Sequence, residues 1–523
     1  MELEIIAGFI LLLFLWGLWL WRCRGAGADR QLPPGPPCWP VVGNLLQLSF
    51  SAHESFTKLA AKYGPIMTLQ LGSMKTVVVS SSTVAREMFK THDVPLSGRM
   101  IYEAMKGNHG TQGSLITSQY GPHWRMLRRL ATSEFFVARQ LESMKHVRRH
   151  CIDAMIRHVE EGCDPCGNAP ALDVGKFVFV MGFNLIGNLI FSKDLLEANS
   201  KRGKEFYYHT RKVMEMAGKP NVADFLPALR WLDPQGIRRK TQFHVNKAFE
   251  IAGEFIKERL LIREKRDIIN DDDDEKKEES GKKDYLDVLL EFRGDGVEEP
   301  SRFSSWIINV IVLEMFTAGT DTTTSTLEWA MAELLHNPAS LQKLQAELRA
   351  TIAPNDNLEE THLQNLPYLD AVVKETLRLH PPLPFLFPRM AMKPCNILGY
   401  RIPAETQVLV NFWAIGRDPK NWKDALVFSP ERFFDPSSGS KDFKGQHFDF
   451  IPFGSGRRMC PAVPLASRVL PMALGSLILS FDWALPDGVS PKEMDMSEQM
   501  GITLRKKVPL KAIPTPHKRR RFD

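Results

Sequence analysis

The residues best placed to do chemistry lie near the C-terminus, in Phe453-Gly454-Ser455-Gly456-Arg457-Arg458-Met459-Cys460-Pro461-Ala462. A lone cysteine follows a Gly-rich, twice-basic loop, and an apolar helix-forming run comes after it at residues 470–479. Pro461 suits the first position of a helix, where its missing N–H costs nothing. The pattern therefore predicts Cys460 at a helix N-terminus, where the dipole and free amides favour a thiolate. A thiolate on a shielded loop can ligate a soft or redox-active metal centre, thiolate-ligated haem among them. Taken alone, the loop fits equally well a buried structural cysteine beside a turn. A phosphate cradle is disfavoured, because no Lys-Ser/Thr pair follows the glycines.

Three other stretches carry reactive or charged groups in suggestive spacing. Residues 304–336 read as one long helix, strongly apolar from Trp306 to Phe316. At its midpoint, Thr317-Ala318-Gly319-Thr320-Asp321-Thr322-Thr323 runs against helix propensity. Such a break marks either a functional site or a Thr-rich packing seam. Thr hydroxyls can bond back to carbonyls and open the helix groove, and Gly319 admits a close neighbour. Glu375 and Arg378, three apart in Lys374-Glu375-Thr376-Leu377-Arg378, share a helix face that Pro381-Pro382 ends. Trp124 and Arg128, four apart, share a face of another helix start.

The elements that must position these groups can be read in order. Residues 5–21 are uncharged and apolar, at the short limit of the about 17–25 residues that span a bilayer. Arg22, Arg24 and Arg30 follow, so the positive-inside rule places the rest of the chain in the cytosol. A cleaved signal peptide would carry its charges on the other side. Leu32-Pro33-Pro34-Gly35-Pro36-Pro37 is a stiff hinge that cannot be helical. The expected layout is an anchor at 1–30, a hinge at 31–40, a catalytic domain at 41–516 and a basic tail at 517–523. Residues 66–71 and 75–80 read as a hairpin, and 82–90 as a helix. Residues 97–119 form a long loop rich in Gly, and long ordered loops are usually functional. Helices are expected at 172–190, 204–216 and 245–266, with a Pro-punctuated apolar segment at 224–234 that can dip into a membrane. The charge run at 271–279 reads as a solvated surface. Residues 400–410 read as a second hairpin. Residues 443–453 are irregular, and 499–504 read as a turn.

Composition narrows the function. A chain of 523 residues with net charge +6 has no nucleic-acid footprint. Seven scattered cysteines make no disulfide framework. Cys163 and Cys166 form a C-x-x-C without a second pair, and two free thiols fit better than zinc.

The Cys460 stretch resembles the haem-binding loop of the cytochrome P-450 superfamily. The pattern Phe-x-x-Gly-x-Arg-x-Cys-x-Gly is met at Phe453, Gly456, Arg458 and Cys460, with Ala462 at its final Gly. Ala318, Gly319, Asp321, Thr322 and Thr323 resemble the oxygen-binding motif of that superfamily. Glu375 and Arg378 match its Glu-x-x-Arg, with Arg432 in Pro430-Glu431-Arg432-Phe433 as the partner. The motifs occur in the family's order over almost the whole chain. The resemblance implies a mainly α fold with small β-sheets, with haem b between a long central helix and the Cys loop. It implies Cys460 as axial ligand of the iron, and Trp124, Arg128, Arg389 and Arg458 at the haem propionates. Asp321 and Thr322 would deliver protons during oxygen activation, and Glu375, Arg378 and Arg432 would form a buried structural triad. With no flavin or dinucleotide fingerprint in the chain, electrons would come from NADPH through a separate cytochrome P-450 reductase. Arg129, Lys444 and Arg457 are candidates for its docking face. The hinge and Trp413-Ala414-Ile415-Gly416-Arg417-Asp418-Pro419 are similar to the plant microsomal branch, closest in character to geraniol and other terpenoid hydroxylases. That implies a single-pass protein of the endoplasmic reticulum membrane acting on a small-to-medium hydrophobic substrate and O₂. Phenolic, flavonoid or alkaloid substrates are alternatives. A reductase-independent haem-thiolate isomerase or dehydratase, or a non-catalytic haem sensor, are the other functions open to such a chain. Intact Asp321 and Thr322 argue for the monooxygenase.

Overall fold

The computed structural model of the chain describes residues 31–517 apart from 50, 107–112, 164–170, 198–199, 271–282, 355, 435–440 and 487. The expected anchor, the 271–279 charge run, Cys166 and residues 518–523 lie outside the described residues.

Gly64, at φ 106°, ends the helix Ala52–Tyr63, a backbone conformation that suits glycine. The β-branched runs after it form β1 (Ile66–Leu71) and β2 (Met74–Val79), antiparallel, with Ile66 opposite Val79 and Leu71 opposite Met74. This is the predicted hairpin. The prolines of the hinge lie along it, where Thr68 N–H donates to the Pro34 carbonyl at 2.9 Å. Two strands from far along the chain, β3 (Arg389–Met390) and β4 (Gln407–Val410), complete the sheet in the order β1-β2-β4-β3. The second predicted hairpin, across 400–410, does not form. Tyr400–Ile402 pairs with Cys395–Ile397, while β4 runs parallel to β2. All of β4 is buried, and a strand without a polar face belongs inside a sheet.

The helices that frame the site are α1 (Pro122–Leu130), α2 (Val174–Phe191), α3 (Lys201–Ala217), α4 (Ile237–Asn270), α5 (Ser305–His336), α6 (Pro367–Leu379) and α7 (Val463–Ser480). Capping side chains set starts that periodicity places too late. Ser200 accepts from Gly203 N–H at 3.2 Å ahead of α3. Asp233 accepts from the amides of Arg238 and Arg239 at the start of α4, at 3.3 and 3.1 Å. Such caps contribute about 1 kcal/mol each.

α5 is the spine. Its apolar half packs on α2, where Phe183 and Phe316 meet with ring centroids 4.7 Å apart. Gly319 permits that approach, since a Cβ there would lie 2.9 Å from Ile186 Cδ1. The Thr-rich stretch stays helical throughout. Its hydroxyls bond back one turn, Thr322 to Ala318 O at 2.7 Å and Thr323 to Gly319 O at 2.7 Å. Packing on both sides holds these weak helix formers in the helix. α2 and α7 are long and apolar enough to cross a membrane, yet each is 67% buried inside the protein. They are core helices.

Candidate active site

Cys460 is carried by a loop and not by a helix. α7 begins at Val463, with Ala462 as its cap and Pro464 in its first turn. Pro461 thus precedes the helix, contrary to expectation. The loop is bent by Gly454 and Gly456, at φ 74° and 70°. At Gly456 a Cβ would fall 2.4 Å from Asp93 Oδ1, so a side chain there meets a carboxylate. The turn closes with Cys460 N–H donating to the Phe453 carbonyl at 3.0 Å. The Phe453 ring packs edge-on against Phe443, centroids 5.2 Å apart.

Burial pushes the Cys460 thiol up, while the Ala462 amide and the Arg128 guanidinium pull it down. Burial wins. The Ala462 amide, at the cap of α7, is the part of the expected helix-start effect that reaches the sulfur. Cys460 is enclosed by protein but retains accessible surface, which therefore faces an internal space. Ala318 behaves likewise: it is exposed midway along α5 although Phe316 and Thr320 beside it are buried.

Guanidinium groups converge around the Cys loop. Arg128, on α1, donates to the Met459 carbonyl. Arg389, on β3, pairs with Asp93 at 2.7 Å and donates to the Ser455 carbonyl at 2.8 Å. Arg458 donates to the carbonyls of Ser97 and Ser118, at 2.9 and 2.6 Å, and lies 4.3 Å over the Trp124 ring. Trp124 itself donates to the Leu115 carbonyl at 3.0 Å. Arg99 was not foreseen. It donates to the carbonyls of Ile116 and Phe387, at 3.0 and 2.9 Å. Burial holds Arg99 well below its ordinary pKa, with repulsion from Arg389 and Arg458 adding to it. Burial, then Arg389 and Arg128, bring Arg458 down to about 10. Asp93 is the carboxylate paired with this group. A buried excess of positive charge is costly until anions join it, and the two propionates of a haem are such anions. Together with the inward surfaces of Cys460 and Ala318, this donor set fits haem with Cys460 on its iron.

On α5, Asp321 faces the hairpin of β5 (Glu498–Met500) and β6 (Leu504–Lys506). It accepts from Thr503 Oγ1 at 3.0 Å and pairs with Arg505. Thr322 beside it gives its hydroxyl to Ala318. The tip of the hairpin packs on the end of α3, where a Cβ on Gly218 would lie 2.5 Å from Ile502 N.

The structure brings Glu375, Arg378 and Arg432 together. Arg378 forms two 2.7 Å bonds to Glu375, and Arg432 Nε donates to the same carboxylate at 2.9 Å. Arg378 also donates to the carbonyls of Gly416 and Ala425, at 2.5 and 2.7 Å, tying α6 to the segment that precedes the Cys loop. Arg129, Lys444 and Arg457 are all exposed. Cys163 donates to the Val159 carbonyl at 3.3 Å, and burial pushes its thiol up.

Arg99, Glu314 and Arg505 were missed. Arg99 and Arg505 sit in no periodic pattern. Glu314 did carry a signal, as a lone carboxylate within the apolar run of α5.

This helical fold with a cysteine loop under a long central helix defines a haem-thiolate class of protein. The chain belongs to the cytochrome P450 family, whose model matches residues 33–512, and it is a monooxygenase of that family. It is 45% identical to an iridoid oxidase of Catharanthus roseus, over 98% of this chain and 96% of that one. It is 42% identical to a geraniol 8-hydroxylase of the same plant, covering 93% and 94% of the two chains. It is 39% identical to a geranylhydroquinone 3″-hydroxylase of Arnebia euchroma, covering 97% and 99%. Among solved structures, a zebrafish cytochrome P450 with progesterone superposes with a TM-score of 0.73 at 25% identity, over 89% of this chain and 99% of that one.

Proposed function

We propose that this chain hydroxylates a small-to-medium terpenoid, using O₂ and electrons passed from NADPH through a separate reductase. The observation that carries the reading is the near full-length similarity to the iridoid oxidase and the geraniol 8-hydroxylase. The inward-facing Cys460 and the arginine cluster support it. A haem bound here supplies oxygen activation, with the thiolate donating electron density that favours O–O cleavage.

The chain's own residues perform the rest. Arg99, Arg128, Arg389 and Arg458 would hold the propionates of a bound haem by charge-assisted bonds. Cys460 would ligate its iron from a loop whose shape Gly456 and the Cys460–Phe453 bond maintain. Ala318 presents a small side chain to the reaction space. Thr322 donates to Ala318 O and keeps acceptor capacity for an ordered water, so it can hold a proton donor at the reacting oxygen. Asp321 is paired with half-exposed Arg505 at the edge of solvent, where water can bring protons to its carboxylate. Glu375, Arg378 and Arg432 hold the segment leading to the Cys loop in place. The exposed Arg129, Lys444 and Arg457 offer a basic surface for the reductase.

An apolar surface supports membrane association. Trp231 is 81% exposed and Val41 is 75% exposed, beside exposed Trp39, Leu46 and Leu232. The β1–β2 turn joins the two groups: Gly72 N–H donates to the Val42 carbonyl at 3.1 Å and Ser73 N–H to the Phe225 carbonyl at 2.8 Å. With the 5–21 anchor, this face sets the catalytic domain on the cytosolic side of the endoplasmic reticulum membrane.

Co-expression with a plant reductase, and incubation with geraniol and an iridoid alcohol, tests the reading. NADPH-dependent hydroxylated product is expected. Turnover of phenolic or alkaloid substrates alone would reassign the substrate class. Turnover without NADPH and O₂ would overturn the monooxygenase mechanism.

A further inference from the structure

Glu314 is the one acidic residue in the apolar half of α5, and it is partly buried. It accepts from the Ser114 hydroxyl, from Leu115 N–H at 2.8 Å and from Ile116 N–H at 3.4 Å. Ser114 in turn accepts from the amide and hydroxyl of Thr117, at 2.7 and 2.6 Å. The carbonyls of the same two residues face the other way. Leu115 O accepts from Trp124 at 3.0 Å and Arg458 at 3.4 Å, and Ile116 O accepts from Arg99 at 3.0 Å. The segment 114–117 is thus strung between a carboxylate on the central helix and the guanidiniums of the haem edge. Glu314 is also one helical turn from Ala318, which faces the reaction space, so i and i+4 share that side of α5.

We propose that Glu314 is a positioning residue that latches this loop to α5, so that its ionisation sets the order of the substrate-facing wall. Burial raises its carboxyl to about 7, opposed by Ser114 and the two amides. The groups facing it are those three donors; no charged side chain opposes it among the described residues. His123, at the start of α1, accepts from Gly113 N–H at 3.2 Å and has its pKa lowered by burial. It is the other group that can titrate at this loop. Ionised Glu314 gains charge-assisted bonds to the three donors, but the cost of burying its charge outweighs them, so the latched state favours the protonated carboxyl. The latch therefore loosens as pH rises from the ordinary carboxylate range through about 7.

The inference rests on the proposed reading only for the pocket beside the loop. Its first test is hydrogen exchange, which needs no substrate. Protection of the peptide covering 113–119, corrected for intrinsic rate, should fall roughly tenfold from about pH 6 to about pH 8, as the closed loop gives up the proton it favours. Glu314→Gln should flatten this profile. Ser114→Ala removes a donor to the ionised form and should move the midpoint upward, which a merely structural role would not do. The second test is spectral titration of the haem-loaded protein with tebuconazole, a bulky triazole, and with 1,2,4-triazole. Neither ligand titrates over this range. The bulky ligand should bind less tightly as pH rises through about 7, and the small one should be unaffected. A pH dependence that survives Glu314→Gln would overturn the proposal and assign the switch to His123. An unmoved midpoint in Ser114→Ala would also overturn it. Absence of any triazole spectrum in the native protein would instead refute the haem reading.

Discussion

At the scale of single residues, the proposed proton delivery divides between Thr322 and Asp321. Thr322 touches the reaction side of α5 through Ala318, while Asp321 is turned to Thr503 and Arg505. Replacing Thr322 with Ala should preserve haem binding but lower product formed per NADPH consumed, roughly tenfold or more, with peroxide as the diverted product. Unchanged coupling would remove the role. Cys460, Thr322 and the Glu375–Arg378 pair were legible in sequence because each lies in a short local pattern. Arg99 was not, since its meaning comes from three carbonyls and two arginines contributed by distant segments. Nor was the state of the Cys460 thiol, because burial is set by tertiary packing while the dipole argument was local. Glu314 was legible in principle, and its neighbours' hydrophobicity hid it.

At the scale of elements, the long helices were readable from periodicity, and their ends were misplaced where a side-chain cap decided them. The failed hairpin across 400–410 shows the complementary limit. Strand propensity finds β4, but only the burial of both its faces assigns it to the main sheet. The Glu375–Arg378–Arg432 network is where element positions become binding geometry. Arg378→Ala would leave Glu375 buried without its main partner, costing about 3–5 kcal/mol. Denaturation with urea, together with haem content after expression, checks this; near-native stability would refute it. A second electrostatic contact joins the 97–119 loop to the segment after α3. Asp224 accepts from Glu103 N–H at 2.7 Å, and burial and the Glu103 charge raise its carboxyl to about 6, against the bond from that amide. Folding therefore favours its protonated form, and stability is lost as pH rises from about 4 through 6. Asp224→Asn keeps the acceptor without the charge. It should raise the melting temperature at about pH 8 and leave it unchanged at about pH 4. A lowered melting temperature at the higher pH would contradict the assignment.

At the scale of the whole molecule, one end offers an apolar face and the Cys loop offers exposed basic residues. In a chain lacking residues 1–30, Trp231→Ser with Leu232→Ser should weaken partitioning to phosphatidylcholine vesicles by about tenfold or more, given the apolar area removed from lipid. Vesicle sedimentation measures it, and unaltered partitioning would place the membrane contact elsewhere. The fold class was legible because four motifs in order demand one architecture, whereas the cavity wall was not, since it is assembled from loops without periodicity. The proposed oxygen chemistry depends on a haem held by Cys460. The most direct test is the reduced carbon monoxide difference spectrum of the native protein beside Cys460→Ser, with haem content measured in both. The native protein should show the red-shifted band of thiolate ligation, and the variant should lose it. A variant that binds haem and keeps that band would contradict the account.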